Sequence, residues 1–139
     1  MRLWHTDLIE VLPRQQLLGQ WRELNSIFKN QNKHVLINFV YKYDISHLYV
    51  YGLKVIDEIE KRGYKVNKRK FDEYFDGFVC KEIYKECFKE AKPFAQKMTD
   101  RYLRQCYYNL QEKYDCGGIT EEEWEKIESK VKEKGEYND

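Results

Sequence analysis

The run that decides the fold is Pro13–Phe28, PRQQLLGQWRELNSIF. At 100° per residue its large apolar side chains form one stripe, which consists of Leu17, Leu18, Trp21, Leu24, Ile27 and Phe28. Pro13 suits the first turn of a helix, where its missing N–H costs nothing. Arg22 and Glu23 fall off the stripe on opposite flanks, with Gln16 and Gln20 on the Glu23 side. The run predicts an amphipathic helix, and periodicity alone leaves Arg22 and Glu23 as ordinary solvated residues.

The composition is that of a folded globular protein. The 139 residues fit one domain and can bury a sizeable core, and 16% of them are aromatic, too many for a disordered chain. No apolar run approaches the roughly 18 residues of a membrane span, and the first residues, MRLWHTDL, lack the apolar core of a signal peptide. We therefore expect a cytoplasmic protein with no membrane association.

Several kinds of site lack their usual residues. Cys80, Cys87, Cys106 and Cys116 match no zinc-binding spacing, so we expect reduced thiols, no metal and no cofactor. The three histidines are scattered, and the chain contains no glycine-rich phosphate loop, no HExxH and no GxSxG. These patterns argue against nucleotide hydrolysis, zinc proteolysis and serine-type acyl transfer.

Charge is distributed unevenly along the chain. Residues 1–70 carry a net charge of +6 and residues 71–139 a net charge of −5. A basic N-terminal half is compatible with a polyanionic partner, and we expect the acidic half to face away from it. Lys65, Lys68, Arg69 and Lys70 form a basic run between Tyr64 and Phe71, and this run either contacts phosphate or is a solvated connection.

The rest of the chain predicts an all-α, compact single-domain bundle of about five helices over residues 1–139. Met1–Leu12 is an entry segment, extended and then one helical turn, and residues 33–43 form a loop or short helix. The second helix begins at Asp44 or Ser46 and ends at Lys61-Arg62-Gly63. The remaining helical segments are an aromatic one from Phe71 to Phe88 interrupted near Gly77, one from Thr99 or Asp100 to Tyr114, and one opened by the capping box of Thr120 and Glu123, with a frayed tail from Lys132.

Three short motifs carry a resemblance to a known family. Trp21-Arg22-Glu23-Leu24 is followed at a fixed distance by Lys33-His34-Val35, and the second helix closes with Lys61-Arg62-Gly63-Tyr64. In this order and spacing, residues 1–66 resemble the pyrimidine-dimer DNA glycosylases of the phage endonuclease V type. The aromatic, basic C-terminus of that family is replaced here by an acidic one.

The resemblance implies a DNA repair enzyme. Such an enzyme binds duplex DNA at a pyrimidine dimer or related lesion and attacks the sugar C1′ with its N-terminal amine. It thereby expels the base and forms a Schiff base that allows abasic-site lyase chemistry. Glu23 matches the family's catalytic carboxylate. The resemblance also implies that Arg2, Gln15, Arg22 and Lys33 contact the DNA. We expect a monomer whose partner is damaged duplex DNA.

The chain departs from the family at its nucleophile. The family uses the amine of a threonine exposed by removal of the initiator Met, whereas position 2 here is Arg, before which Met is not expected to be cleaved. We therefore predict that Met1 is retained and supplies the amine. Gln16 and Ser26 replace a family histidine and arginine, which affects dimer specificity and DNA affinity more than the sugar chemistry.

Two other functions fit the sequence. One is a non-catalytic nucleic-acid-binding domain that kept the helical scaffold and the basic N-terminal surface. The other is a helical interaction protein whose aromatic C-terminal half docks a partner through Tyr and Trp. An acid between Arg22 and Leu24 favours the enzyme, because DNA binding alone gives no reason to place a carboxylate against phosphates.

Overall fold

A computed structural model describes residues 2–30 and 33–134 of the chain. Within these ranges the regular structure is entirely helical, and the prediction of an all-α fold is confirmed. Two 3-10 helices occur at Thr6–Val11 and Asn38–Lys42. The six α-helices are α1 (Arg14–Asn30), α2 (Ile45–Lys61), α3 (Arg69–Phe75), α4 (Lys81–Cys87), α5 (Asp100–Asp115) and α6 (Glu121–Lys134).

Helix α1 forms where the apolar stripe predicts it. The helix begins one residue after Pro13, whose carbonyl oxygen accepts from Leu17 N at 2.9 Å, and it continues two residues beyond Phe28. The stripe is the buried face: four of its members are buried and Leu18 and Trp21 are half-buried. Gln20 is also buried, with 1% of its surface exposed, and this marks the side on which the N-terminal segment packs.

Helix α2 has both of its predicted ends. The Asp44 carboxylate accepts from Ser46 N at 3.1 Å and caps the N-terminus. At the other end Gly63 adopts φ +89°, a left-handed conformation that favours glycine. The Arg62 side chain then turns back and donates to the Leu12 and Glu10 carbonyl oxygens at 2.8 and 3.2 Å. These bonds attach the first 3-10 helix to the end of α2.

The predicted count of about five helices is too low by one. The aromatic segment from Phe71 to Phe88 divides into α3 and α4 because Gly77, at φ +80°, reverses the chain between them. Residues 33–43 contain a turn and the second 3-10 helix, as predicted. In the basic run, Lys68 and Arg69 form ion pairs with Glu60 and Glu73, which supports the solvated-connection interpretation for those two residues.

The last two helices are capped as the sequence predicts. Thr99 Oγ1 accepts from Tyr102 N at 3.1 Å at the start of α5. Thr120 and Glu123 form the reciprocal capping box of α6, with both backbone-to-side-chain bonds at 3.1 Å. The expectation of fraying from Lys132 is wrong for residues 132–134, which are helical. Lys134 Nζ lies 3.9 Å from Asp7 Oδ1. The tail beyond residue 134 lies outside the described residues.

The core is one continuous cluster that runs from Leu3 to Val131 and includes side chains of α1, α2, α3, α5 and α6. Its densest part is aromatic, where Phe71 stacks on Tyr49 at 5.1 Å and meets Phe28 edge-on at 5.6 Å between ring centroids. Gly52 makes this packing possible. A β-carbon at Gly52 would lie 2.4 Å from Phe71 Cε1, so α2 and α3 approach closely only because this position has no side chain.

We expect the Gly52→Ala substitution to destabilise the fold. Alanine has a higher helix propensity, worth up to about 1 kcal/mol. Overpacking against a ring that cannot move typically costs about 1–3 kcal/mol and should dominate. The measurement is the free energy of unfolding from urea titration. Gly19→Ala is the control, since its β-carbon would meet only the flexible end of Arg22 at 3.6 Å, and it should be neutral or stabilising. Equal effects at both glycines would contradict the packing argument.

Among the residues described, none of the helices combines the length and the apolar character that crossing a membrane requires.

Candidate functional site

The first residues of the chain are anchored by side chains from three helices. Five of the six backbone N–H and C=O groups of residues 2–4 form hydrogen bonds with side chains of α1, α2 and α5. Leu3 and Trp4 are buried at the same time. Side chains thus satisfy backbone groups that would otherwise be buried without partners in this segment.

Gln20 of α1 is the central anchor. Its Oε1 accepts from Trp4 N at 2.8 Å, and its Nε2 donates to the Arg2 carbonyl oxygen at 3.0 Å. The same Nε2 donates to Glu23 Oε2 at 3.2 Å. Both donors and the acceptor of the amide are therefore used, and Gln20 fixes the register of the segment relative to Glu23.

Two tyrosines complete the anchoring. The Tyr51 hydroxyl of α2 donates to the Trp4 carbonyl oxygen at 2.6 Å and lies 2.8 Å from Gln20 Oε1. The Tyr102 hydroxyl of α5 donates to the Leu3 carbonyl oxygen. Burial raises the pKa of both tyrosines well above the ordinary value of 10, so both hydroxyls keep their protons and remain donors.

Glu23 receives the start of the segment. Its Oε2 accepts from Arg2 N at 3.1 Å in addition to the bond from Gln20. Glu23 is half-buried, and no hydrogen bond to its Oε1 occurs within residues 2–30 and 33–134. One carboxylate oxygen thus holds the backbone of the N-terminal segment.

The Arg2 side chain lies over aromatic rings instead of beside an acid. Its guanidinium carbon is 5.9 Å from the centroid of Trp4 and 5.7 Å from that of Tyr102. Its Nη1 also lies 3.9 Å from Cys106 Sγ. Burial raises the pKa of the Cys106 thiol, which therefore stays protonated and does not neutralise Arg2.

His5 follows the anchored segment and is structural. Burial lowers its pKa below the ordinary value of 6.5, so the ring is neutral near pH 7. Its Nδ1 accepts from Asp7 N at 3.1 Å and starts the first 3-10 helix. Among the described residues, no three His, Cys, Asp or Glu side chains converge as a metal site would require.

Gln15 and Arg22 share a groove of about 660 Å³ between α1 and the turn that joins α5 to α6. Both side chains are exposed. The opposite wall is formed by Gly117, Gly118 and Ile119. A β-carbon at Gly117 would meet nothing within 4 Å, so this wall leaves its backbone open to a bulky partner.

The other two predicted site residues are Lys33 and Met1. Lys33 is exposed and follows α1, the helix that carries Glu23. Met1 lies outside the described residues. The structure therefore brings the Arg2 backbone and Glu23 together and places Gln15 and Arg22 in one groove.

Sequence reasoning missed Gln20, Tyr51 and Tyr102 as site residues. Gln20 was recognisable as lying on the Glu23 side of α1, but its role depends on residues 16 to 18 positions earlier. Tyr51 and Tyr102 have the helical spacing of core residues, and their hydroxyl partners lie 47 and 99 positions away. Periodicity contains no information about such distant partners.

Comparison with known protein families identifies a match over the N-terminal half. The family model for pyrimidine dimer DNA glycosylases matches residues 1–72, slightly more than half of the chain. This range covers the anchored segment, α1, α2 and the start of α3, and hence every predicted site residue. No curated protein and no solved structure matches the chain significantly.

Proposed function

Since the chain belongs to the pyrimidine dimer DNA glycosylase family, we propose that it excises a damaged base and cleaves the abasic site through an N-terminal Schiff base. The observation that carries this proposal is the 3.1 Å hydrogen bond between Arg2 N and Glu23 Oε2. It supports a role for the chain's first residues beside the candidate carboxylate. A surface that only bound DNA would gain nothing from a carboxylate facing phosphates.

The Met1 amine is the proposed nucleophile. It belongs to the residue that precedes Arg2, whose backbone nitrogen donates to Glu23 Oε2 at 3.1 Å. An α-amine titrates near pH 8, so an appreciable fraction is neutral and nucleophilic at neutral pH.

The proposed reaction has two stages. The amine attacks C1′ of the damaged nucleotide, the C1′–N bond breaks, and the base leaves with the bonding electrons and takes up a proton. The nitrogen loses a proton, the C1′–O4′ bond breaks to give the iminium, and O4′ takes up a proton. A C2′ proton is then removed, and the 3′ phosphate leaves by β-elimination. Glu23 stabilises the cationic sugar and transfers protons in both stages.

The proposed DNA contacts follow the exposed side of α1. Arg22 and Gln15 contact the strand that enters their groove, and Arg2 contacts phosphate next to the reacting sugar. Lys33 contacts the duplex farther along, beyond the end of the helix. The substrate class is duplex DNA with pyrimidine dimers or related lesions, and the acting unit is a monomer.

The test is borohydride trapping of the Schiff base. Untagged protein is incubated with a duplex that contains a pyrimidine dimer or an abasic site, and the reduced adduct is located by peptide mass spectrometry. We expect an adduct on the Met1 amine and none when that amine is acetylated. A C-terminally tagged protein is the control and should react fully.

Two outcomes would contradict the proposal. Undiminished trapping by the acetylated protein would exclude the N-terminal amine as the nucleophile. Binding of damaged duplex without any trapped adduct would favour the non-catalytic nucleic-acid-binding alternative. The mass of the N-terminal peptide also tests whether Met1 is retained.

A further inference from the structure

Lys97, which lies outside the range matched by the family model, shares an aromatic platform with Arg2. Its Nζ is 4.3 Å from the ring centroid of Tyr102 and 5.2 Å from that of Phe39. The Arg2 guanidinium carbon lies 5.7 Å from the same Tyr102 centroid. The two cations are therefore at most about 10 Å apart, the sum of their distances from that centroid.

Among the residues that the structure describes, neither cation has an acidic partner. Within the two described stretches of the chain, every ion pair involves other residues, although acids outnumber Lys and Arg by five in the half that contains Lys97. Both side chains are half-buried. The two positive charges lie against ring faces, and no described acid neutralises them. Together they form a site that can bind an anion.

The backbone that carries Lys97 is fixed by a strained turn. Phe94 is fully buried yet has φ +58°, a conformation that costs an aromatic residue about 1–3 kcal/mol. Its N–H donates to His47 Nδ1 at 2.9 Å, and its carbonyl oxygen accepts from Lys97 N and Met98 N at 2.8 and 2.9 Å. The packed core thus holds Phe94 in an unfavourable backbone conformation. This conformation fixes the position of the Lys97 backbone, from which the side chain extends.

The platform is joined directly to the candidate site. The Tyr102 hydroxyl donates to the Leu3 carbonyl oxygen, and the adjacent Arg2 N donates to Glu23. Successive phosphates of one DNA strand are about 3.4 Å apart along the helix axis, so cations up to 10 Å apart can contact neighbouring phosphates of one strand.

We propose that Arg2 and Lys97, stacked on Tyr102, form a phosphate clamp that holds the DNA strand beside the nucleotide at Glu23. The identity of the anion as DNA phosphate rests on the proposed function. Lys97 is a binding and positioning residue in this arrangement and takes no part in bond breaking. The clamp extends the DNA-binding surface from the family-matched half of the chain to α5 and the turn before it.

The test is the salt dependence of DNA binding, measured without any chemistry. The affinity of wild-type protein and Lys97→Gln for undamaged duplex is measured from low to physiological salt. Loss of one phosphate contact should reduce the slope of log K against log salt concentration by about 0.9 and weaken binding uniformly across sequences. Lys97→Arg should keep the wild-type slope, and so should Lys126→Gln, which removes an exposed lysine from α6.

The outcomes separate the clamp from the catalytic proposal. An unchanged slope in folded Lys97→Gln would overturn the clamp, as would a trapped Schiff base that maps to Lys97. Should Lys97→Gln fail to fold, acetylation of Lys97 in the native protein with the same slope measurement replaces it. A reduced slope in a protein that never forms a Schiff base would keep the clamp and reject the glycosylase mechanism. A trapped Schiff base together with an unchanged slope would keep the glycosylase mechanism and reject the clamp.

Discussion

Replacing Glu23 by Gln should reduce the rate of Schiff-base formation by about 10²–10⁴-fold, the usual contribution of a positioned acid–base group. The replacement has the same shape, and its side-chain oxygen can still accept from Arg2 N, so the anchored segment keeps its position. Only the negative charge and the proton-accepting capacity are lost. The rate is measured by single-turnover borohydride trapping on an abasic duplex at saturating protein.

DNA affinity should move in the opposite direction. Removing a carboxylate from a surface that faces phosphates eliminates a repulsion, so Glu23→Gln should bind duplex as tightly as the wild type or more tightly. Glu125→Gln on α6 is a matched control, since it changes one exposed acid and should leave both measurements unaltered. A Glu23→Gln protein that traps at the wild-type rate would remove Glu23 from the mechanism.

Replacing Gln20 by Leu should have the largest effect on stability. Leucine nearly matches the volume but leaves Trp4 N and the Arg2 carbonyl oxygen without their partners, in a position where Gln20 is 1% exposed. Each buried polar group left unpaired costs about 1–3 kcal/mol. We expect the free energy of unfolding to fall by about 2–5 kcal/mol, measured by urea titration.

The same variant should also lose trapping activity while it remains folded. The Gln20 amide holds the register between residues 2–4 and Glu23, and catalysis is sensitive to displacements of about 1 Å. Gln111→Leu changes a half-buried glutamine on α5 and should alter neither property strongly. Wild-type stability in Gln20→Leu would show that the anchoring bonds are replaced by water at little cost.

Much of the fold could be predicted because local chemistry determines the ends of its helices. Asp44, Gly63 and the Thr120–Glu123 box act through neighbours within four residues, and each occurs where the sequence predicts it. The division of the aromatic segment into α3 and α4 was harder to predict. Its apolar residues continue on both sides of Gly77, and a single glycine is compatible with a continuous helix.

The candidate site could be predicted only in part. The helical wheel separates Glu23 from the core, and motif spacing makes it the candidate carboxylate. Its contact with Arg2 N joins residues 21 positions apart. In the platform beneath Lys97, Tyr102 is only five positions away, but Phe39 is 58 positions away. Lys97 could not be identified from the sequence because nothing near it in the chain distinguishes it from other surface lysines, and only the fold places it on the ring of Tyr102.

The bond from Tyr102 to the Leu3 carbonyl oxygen also bears on how the protein is made. It joins groups 99 residues apart, so it cannot form until helix α5 has been synthesised. At about 5–20 residues per second, translation of that stretch takes roughly 5–20 s. During this interval the beginning of the nascent chain is not yet fully anchored and stays accessible to enzymes that trim or modify amino termini. The proposed nucleophile is therefore exposed to processing before the helix that helps to anchor the adjoining segment exists.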